Sequence, residues 1–511
     1  MDERARFGAA DAGAPAVNSQ DAPRSNDPDS PSVIRQRGAT GAALLTVRAV
    51  AAQAVAFAGT LVLAHLLLPR TFGVVALGAT IVTTGNFLAD GGLGAALVRQ
   101  PSAPTSAELR TLLAVQLAAA STLGVVIVAV GLQAGRTGTV TAVMACSLPL
   151  LALRAPHAIA LERALDYRPI ASIEFTESLT YYVWAIVTVW AGMGVWGLAS
   201  ATVVRALAGS VLMTLASPLG VISPRVARGS LRSMLGFGLG FQAVGVAAVV
   251  TAQGVNLAVA WVGGVQLLGY WSLANRLLQV PFWLFQALWR VSYPMMARLR
   301  AIGEDTRPTV RRFAGITALA TGAILAPLAA SAHDLVPALF GHRWAPAAAP
   351  LPWASAGLLI GGPISVAAAG YLYAGRDVRT PLTATALNGA VWVGLTVVLL
   401  RPFGIAGVGV AWMLASWTES VIFTRALRRR AQVSLARFMA IPVAAAYTAS
   451  GAAYLVGRAL PNGLAAAVVT AMVALAAYLA LNLAFNRSAL FDTARRIRSI
   501  GGGVVPQRSP R

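Results

Sequence analysis

The sequence predicts an all-α polytopic membrane protein with about fourteen transmembrane helices, and three observations carry that prediction. First, only 11% of the residues are charged while 57% are hydrophobic. A soluble domain needs roughly a quarter of its residues charged to keep its surface in water. Second, the apolar residues come in runs of about twenty, the length that crosses a hydrocarbon core as a helix. Helices are required there because lipid offers no partner to free backbone N–H and C=O groups. Third, the arginines fall almost entirely in alternate breaks between those runs.

In chain order, residues 1–38 are rich in Asp, Pro, Ser, Ala and Arg and read as a disordered cytoplasmic tail. A first half at 39–217 holds six predicted helices, near 40–68, 72–97, 110–134, 139–160, 169–191 and 195–216. A basic loop at 218–233, with Arg225, Arg228 and Arg232, separates it from the second half at 234–430. There the helices are expected near 234–262, 266–291, 313–335, 346–374, 381–400 and 404–426, with a bend at Gly361, Gly362 and Pro363. A last pair near 437–459 and 463–486 fills 431–486, and 487–511 reads as a second disordered tail.

With this numbering, one side of the membrane carries 31 of the 40 basic residues and the other carries five: Arg70, Arg136, Arg343, Arg401 and Arg458. Missing or inventing one early helix would scramble that imbalance. The positive-inside rule then places both termini in the cytoplasm. The two halves also echo each other. LVLAHLLLPRTFGVVAL at 61–77 aligns with LAVAWVGGVQLLGYWSL at 257–273, pairing Leu61 with Leu257, Ala64 with Ala260 and Gly73 with Gly269. GVWGLASA at 194–201 likewise resembles GIAGVGVA at 404–411. Six helices per half give the halves the same orientation, an arrangement used by alternating-access transporters.

Several function classes are excluded by composition. The net charge of +22 is spread in short clusters with no basic face, which argues against nucleic acid. Every basic residue is arginine, so neither a lysine-bearing phosphate loop nor a lysine Schiff base exists. Cys146 stands alone, and the four histidines show no metal spacing.

Charge inside a span is costly, at least about 2.5 kcal/mol for a midplane arginine, and so marks candidate sites. Arg48, Arg205, Arg276 and Arg290 fall within helices. Such guanidiniums either pair with acids or line a water-filled cavity and grip an anion, for which the planar fork suits a phosphate. The acids within spans are Asp90, Glu174, Glu177 and Glu419, which either neutralise those arginines or take up H⁺ or Na⁺ as coupling ions. Trp184, Trp190, Trp196, Trp261, Trp271 and Trp344 near helix ends read as an interfacial belt.

The stretch LAHLLLPRTFGVVALGATIVTTGNFLADGGLGAALVRQ at 63–100 resembles the first helices of bacterial polysaccharide exporters and lipid-linked oligosaccharide flippases. ALERALDYRPIASIEF at 160–175, GMGVWGLA at 192–199 and GYWSLANRLLQVP at 269–281 match later landmarks of that family. The loop at His65, Leu68 and Arg70–Thr71 departs from it, since members more often carry Arg, Ser and acidic residues there.

The resemblance implies the fold of the multidrug, oligosaccharidyl-lipid and polysaccharide exporter superfamily: two six-helix lobes in a V around a central cavity, plus two C-terminal helices. It implies a flippase in the bacterial cell membrane, not an enzyme, that moves an undecaprenyl-diphosphate-linked oligosaccharide by alternating access. Arg48, Arg205, Arg276 and Arg290 are the expected headgroup ligands, and Asp90 matches the acidic position of the second-helix motif. Expected partners are membrane lipid, the lipid-linked glycan and polysaccharide polymerase or assembly proteins, with no cofactor beyond an H⁺ or Na⁺ coupling ion. Three alternatives compete: a lipid II flippase, a drug/cation antiporter of the same superfamily, and a multipass glycosyltransferase or polymerase. The last needs catalytic groups in sizeable external loops, where only Asp334 stands as a carboxylate.

Overall fold

A computed structural model describes residues 51–100, 102–164, 166–461 and 463–487. The predicted tail at 1–38, all but the first residue of the predicted tail at 487–511, and the candidate Arg48 lie outside the described residues. Every regular element among the described residues is helical.

In the first half, α1 (Ala51–Leu66) runs into α2 (Pro69–Asp90), with Pro69 at the helix start, where its missing N–H costs nothing. After α3 (Leu93–Arg99), α4 (Ser106–Gln133) opens on a capping box: the Thr105 hydroxyl accepts from the Glu108 N–H, and the Glu108 carboxylate accepts from the Thr105 N–H at 2.7 Å. The fourth expected crossing is broken into α5 (Gly135–Ala145), α6 (Ser147–Leu153) and α7 (Ala155–Arg163). Then come α8 (Tyr167–Thr188), which ends in a π turn at Val189–Met193, and α9 (Val195–Ala216).

The seventh and eighth expected helices are the two arms of α10 (Arg228–Ala301), which break at the non-helical Gly264. Gly264 has φ 76°, a conformation open to glycine at no steric cost. Then follow α11 (Arg307–Phe340), a 3₁₀ turn at His342–Ala348, α12 (Leu351–Ala374), α13 (Arg379–Phe403), α14 (Ala406–Ala431), α15 (Ala436–Gly457) and α16 (Leu464–Phe485). α12 continues without a break through Gly361, Gly362 and Pro363. Gly362 leaves room for the ring of Phe285 on α10.

Eleven helices among the described residues are long and apolar enough to cross a membrane. The difference from the expected fourteen sits at three places. The two arms of α10 on either side of Gly264 stand as one span in that count, α1 is described only from Ala51, and α8 carries Arg168, Glu174 and Glu177.

Packing follows the sequence halves. Within the first half α8 lies on α9, α4 on α5, and α2 on α5; within the second, α12 and α13 lie on α14 and α11 on α12. The last pair, α15 and α16, packs together and onto α11. The main seam between the halves is α2 along α10. Its polar ties are Asn256 Nδ2 donating to Thr80 Oγ1 at 3.2 Å and Gln242 Nε2 donating to the Phe87 carbonyl at 2.6 Å. Trp271 and Trp344, expected in an interfacial belt, are instead core residues at 1% and 0% exposure; Trp190 and Trp261 face outward as a belt requires.

Candidate functional site

Two charged regions stand out inside the bundle. The first lies where α10 meets α1 and α8. Arg276 reaches across the seam and donates through Nη1 to Thr60 on α1 and, at 2.7 Å, to the Tyr182 hydroxyl on α8. Glycine at 59 makes this possible, since a Cβ there would collide with the Tyr182 ring. The residue as a whole is exposed. Its hydrogen-bond partners among the described residues are neutral hydroxyls, with no carboxylate among them.

Arg205 and Arg154 extend the cluster. Glu177 on α8, only 4% exposed at its side chain, accepts from Arg154 Nη1 at 2.7 Å and lies 3.6 Å from Arg205 Nε. Gly209 on α9 opens the notch that the Glu177 carboxylate occupies. Tyr181 stands within electrostatic range of both Arg205 and Arg276 and joins the two parts. Two guanidiniums therefore share the Glu177 carboxylate, and the third, Arg276, has only hydroxyl partners among the described residues. Three arginines against one carboxylate leave net positive charge within an apolar bundle, and water or an anion would offset it.

The structure brings Arg205, Arg276 and Glu177 together and leaves the other candidates elsewhere. Arg290 is exposed, and because α10 continues to Ala301 it is not at a helix end as expected. Glu174 is exposed beside the like-charged Glu162. Asp90 is held locally, accepting from Gln116 Nε2 at 2.8 Å and from the Gly92 N–H at 3.2 Å. It lines a cavity of about 190 Å³ with Gln116 and Arg154. Arg154, Thr60, Tyr181 and Tyr182 were not among the sequence candidates. Arg154 had a signal, since it falls within the predicted helix at 139–160.

Glu419 sits in the second region, a cavity of about 370 Å³ enclosed by α10, α12, α13 and α14. Five aromatic residues line it: Phe282 stacks on Trp412 at 5.7 Å, Trp392 lies 4.7 Å from Trp412, and Phe285 and Trp289 complete the set. Gln286, Asn388 and Ser416 line it with Glu419, and the Thr385 hydroxyl hydrogen-bonds the carboxylate. At the arginine-rich end, Asp377 pairs with Arg430. Burial opposes its charge, but hydrogen bonds from Thr380 and the pairing with Arg430 outweigh it and hold the carboxyl below the usual range.

Comparison with known proteins agrees with this architecture. A family model described as "Polysaccharide biosynthesis protein" matches residues 62–349, and one described as "Lipid II flippase MurJ" matches residues 229–484. No curated protein sequence matches. Among solved structures, the chain is similar to a lipid II flippase MurJ in an inward closed conformation, at 14% identity over 88% of this chain and 99% of that one, with TM-score 0.65. It is also similar to an inward-facing multidrug resistance MATE family transporter, at 15% identity over 74% of this chain and 94% of that one, with TM-score 0.55. At such identities the likeness is one of fold.

Proposed function

We propose a cargo on the premise that the chain belongs to the polysaccharide biosynthesis protein family, within the multidrug, oligosaccharidyl-lipid and polysaccharide exporter superfamily. It is a multi-pass membrane flippase or exporter of that superfamily. The cargo is a polyprenyl-diphosphate-linked oligosaccharide, carried from the arginine-rich to the arginine-poor face of the cytoplasmic membrane.

One observation carries this reading: Arg276 has only the neutral hydroxyls of Thr60 and Tyr182 as hydrogen-bond partners among the described residues, while Arg154 and Arg205 are both paired to the single carboxylate of Glu177. A diphosphate brings about the charge that the two surplus guanidiniums lack, and charge-assisted bonds to its oxygens outcompete the neutral hydroxyls of Thr60 and Tyr182. Arg205 and Arg276 hold the headgroup, the sugars occupy the space between the halves, and the hydrocarbon chain stays in lipid. Lipid II has the same headgroup chemistry and is separated from other glycans only by its sugars.

Glu419 serves as the coupling site for H⁺ or Na⁺, its carboxylate taking the ion beside Asn388 and Ser416. The aromatic walls around it also favour a second reading, an antiporter for organic cations, because ring faces attract cations. Deleting the gene separates the two. Accumulation of a lipid-linked oligosaccharide on the cytoplasmic leaflet, unrelieved by the Arg276→Ala protein at normal abundance, supports the first reading. Unchanged glycolipid with greater sensitivity to cationic compounds supports the second.

A further inference from the structure

A cavity of about 280 Å³ lies at the arginine-rich end of the first half, walled by α4, α6, α7, α9 and the link that runs from α9 to α10. It shares no lining residue with the seam cluster or the Glu419 chamber. Its walls are chiefly aliphatic, with Leu113 from α4, Leu150 and Leu153 from α6, Leu215 from α9 and Ile222 from the link. The space equals about nine water volumes of roughly 30 Å³ each, yet such walls give water few partners. An apolar chain suits it better.

The polar groups of the wall are not alike. The Ser210 hydroxyl donates to the Leu150 carbonyl, and the Thr214 hydroxyl donates to the Ser210 carbonyl at 2.9 Å. His157, only 3% exposed, has no hydrogen-bond partner at Nδ1 among the described residues. Leaving a buried ring nitrogen unpaired is costly, so the imidazole calls for a polar group from an occupant. As the Nδ1–H tautomer it offers one donor there.

Position and charge select the occupant. Leu113 stands seven residues into α4, about 10 Å along the helix, and Leu215 is one residue from the end of α9. That is the depth at which acyl chains join their headgroups. The cavity opens outward, since Leu215 and Val221 line it and are 77% and 94% exposed. Leu207 and Val211 continue the Leu215 row at four-residue spacing, an exposed apolar face for lipid to cover. The link itself is tied to the start of α4: the Arg225 N–H donates to the Arg110 carbonyl at 3.3 Å, and the Ala227 N–H donates to the Thr111 hydroxyl at 3.0 Å. Arg225 and Arg228 are exposed, and no acidic residue occurs between Ser217 and Arg228. Arg225 follows Ile222 by three residues, at most about 10 Å of chain.

We propose that this cavity binds one acyl chain of an anionic diacyl phospholipid from the arginine-rich leaflet. His157 meets the ester carbonyl, and Arg225 and Arg228 meet the phosphate. The lipid is a ligand of the link that joins the halves, not the cargo, because a prenyl diphosphate has no ester carbonyl for His157. The site stands independently of the transport reading.

The test uses full-length protein in phosphatidylcholine nanodiscs containing phosphatidylglycerol with a diazirine in one acyl chain. After irradiation, label should concentrate on α6 and on α4 near Leu113, roughly tenfold or more above that from phosphatidylcholine carrying the same diazirine. Arg225→Gln and Arg228→Gln should each remove roughly fivefold of that preference. Leu215→Trp, a change at an exposed position, plugs the mouth and should bring the label on α4 and α6 down to the phosphatidylcholine level. His157→Phe keeps the ring and should cut it roughly two- to tenfold. Ether-linked phosphatidylglycerol should lose the same factor on the unaltered protein, which carries this arm if His157→Phe does not fold. Label at Leu483, exposed on α16, reports bulk lipid and should stay constant throughout. Equal label from the two headgroups, unmoved by Leu215→Trp, overturns the proposal. Displacement of the label by excess short-chain prenyl diphosphate also overturns it, since the cavity would then belong to the cargo.

Discussion

The seam cluster around Arg276 and the second-half chamber around Glu419 are both polar sites inside an apolar bundle, yet they solve the burial problem in opposite ways. At the seam, two guanidiniums share one carboxylate and a third, Arg276, is held by hydroxyls, so the surplus charge is positive. In the chamber, a single carboxylate faces aromatic rings, amides and hydroxyls, and the surplus is negative. The seam cluster is built from both halves, with Arg276 contributed by α10 and the rest by α6 to α9 and α1. The chamber is built from one half alone. A site that spans both halves feels their relative motion; a site within one half does not. That difference suits the first to a cargo that crosses and the second to an ion that drives the crossing.

The sharpest way to break this division is Arg276→Ala. Losing hydrogen bonds to a charged group costs about 1.5–3 kcal/mol, so headgroup affinity should fall roughly 10- to 150-fold and export should stop at unchanged protein levels. Normal export would remove the seam from the mechanism. Glu419→Gln should abolish the response of transport to the proton or sodium gradient while leaving diphosphate binding within about twofold. If it weakened diphosphate binding as much as Arg276→Ala does, the two regions would be one site.

Glu177→Gln sharpens the comparison from the other side. It frees two guanidiniums, so inorganic diphosphate should bind more tightly while the melting temperature drops. The penalty is about 1–2 kcal/mol, below the 3–5 of a fully buried pair, because the arginine side chains are 32% and 49% exposed. Weaker binding would mean that Glu177 positions the arginines rather than competing for them.

The smallest effect is expected at Asp377→Asn, about 0.2–1 kcal/mol for a surface pair. Since the folded-state pKa of Asp377 is depressed, its stabilisation is present above the ordinary aspartate range near 3.9 and fades as pH falls through the folded value. Melting curves of the two proteins should thus converge in acid. Parallel curves across that range would exclude the ion pair as the source.

How much of this was legible in the sequence varies by element. Helices such as α9 and α12 were readable because apolar length is dictated by lipid, not by neighbours. The break at Gly264 was legible as the boundary between the seventh and eighth helices, although a single glycine makes it without a polar loop. Arg205, Arg276 and Glu177 were found through the cost of charge in a span. Tyr182 and Thr60 were not, since a hydroxyl costs little in a helix and its partner lies on another element. Arg154 was counted with the arginines of the arginine-rich side, and it stands between α6 and α7 of one broken crossing. Arg290 and Glu174 show the converse: placement in an apolar run does not say which face the side chain takes.

The most direct measurement is calorimetric binding of a short-chain prenyl diphosphate to the purified protein, its Arg276→Ala variant and its Glu419→Gln variant, at two salt concentrations. Saturable, salt-weakened binding that is lost in Arg276→Ala and kept in Glu419→Gln is the predicted result. Equal binding by the wild type and Arg276→Ala would contradict the assignment of the seam arginines to a diphosphate headgroup.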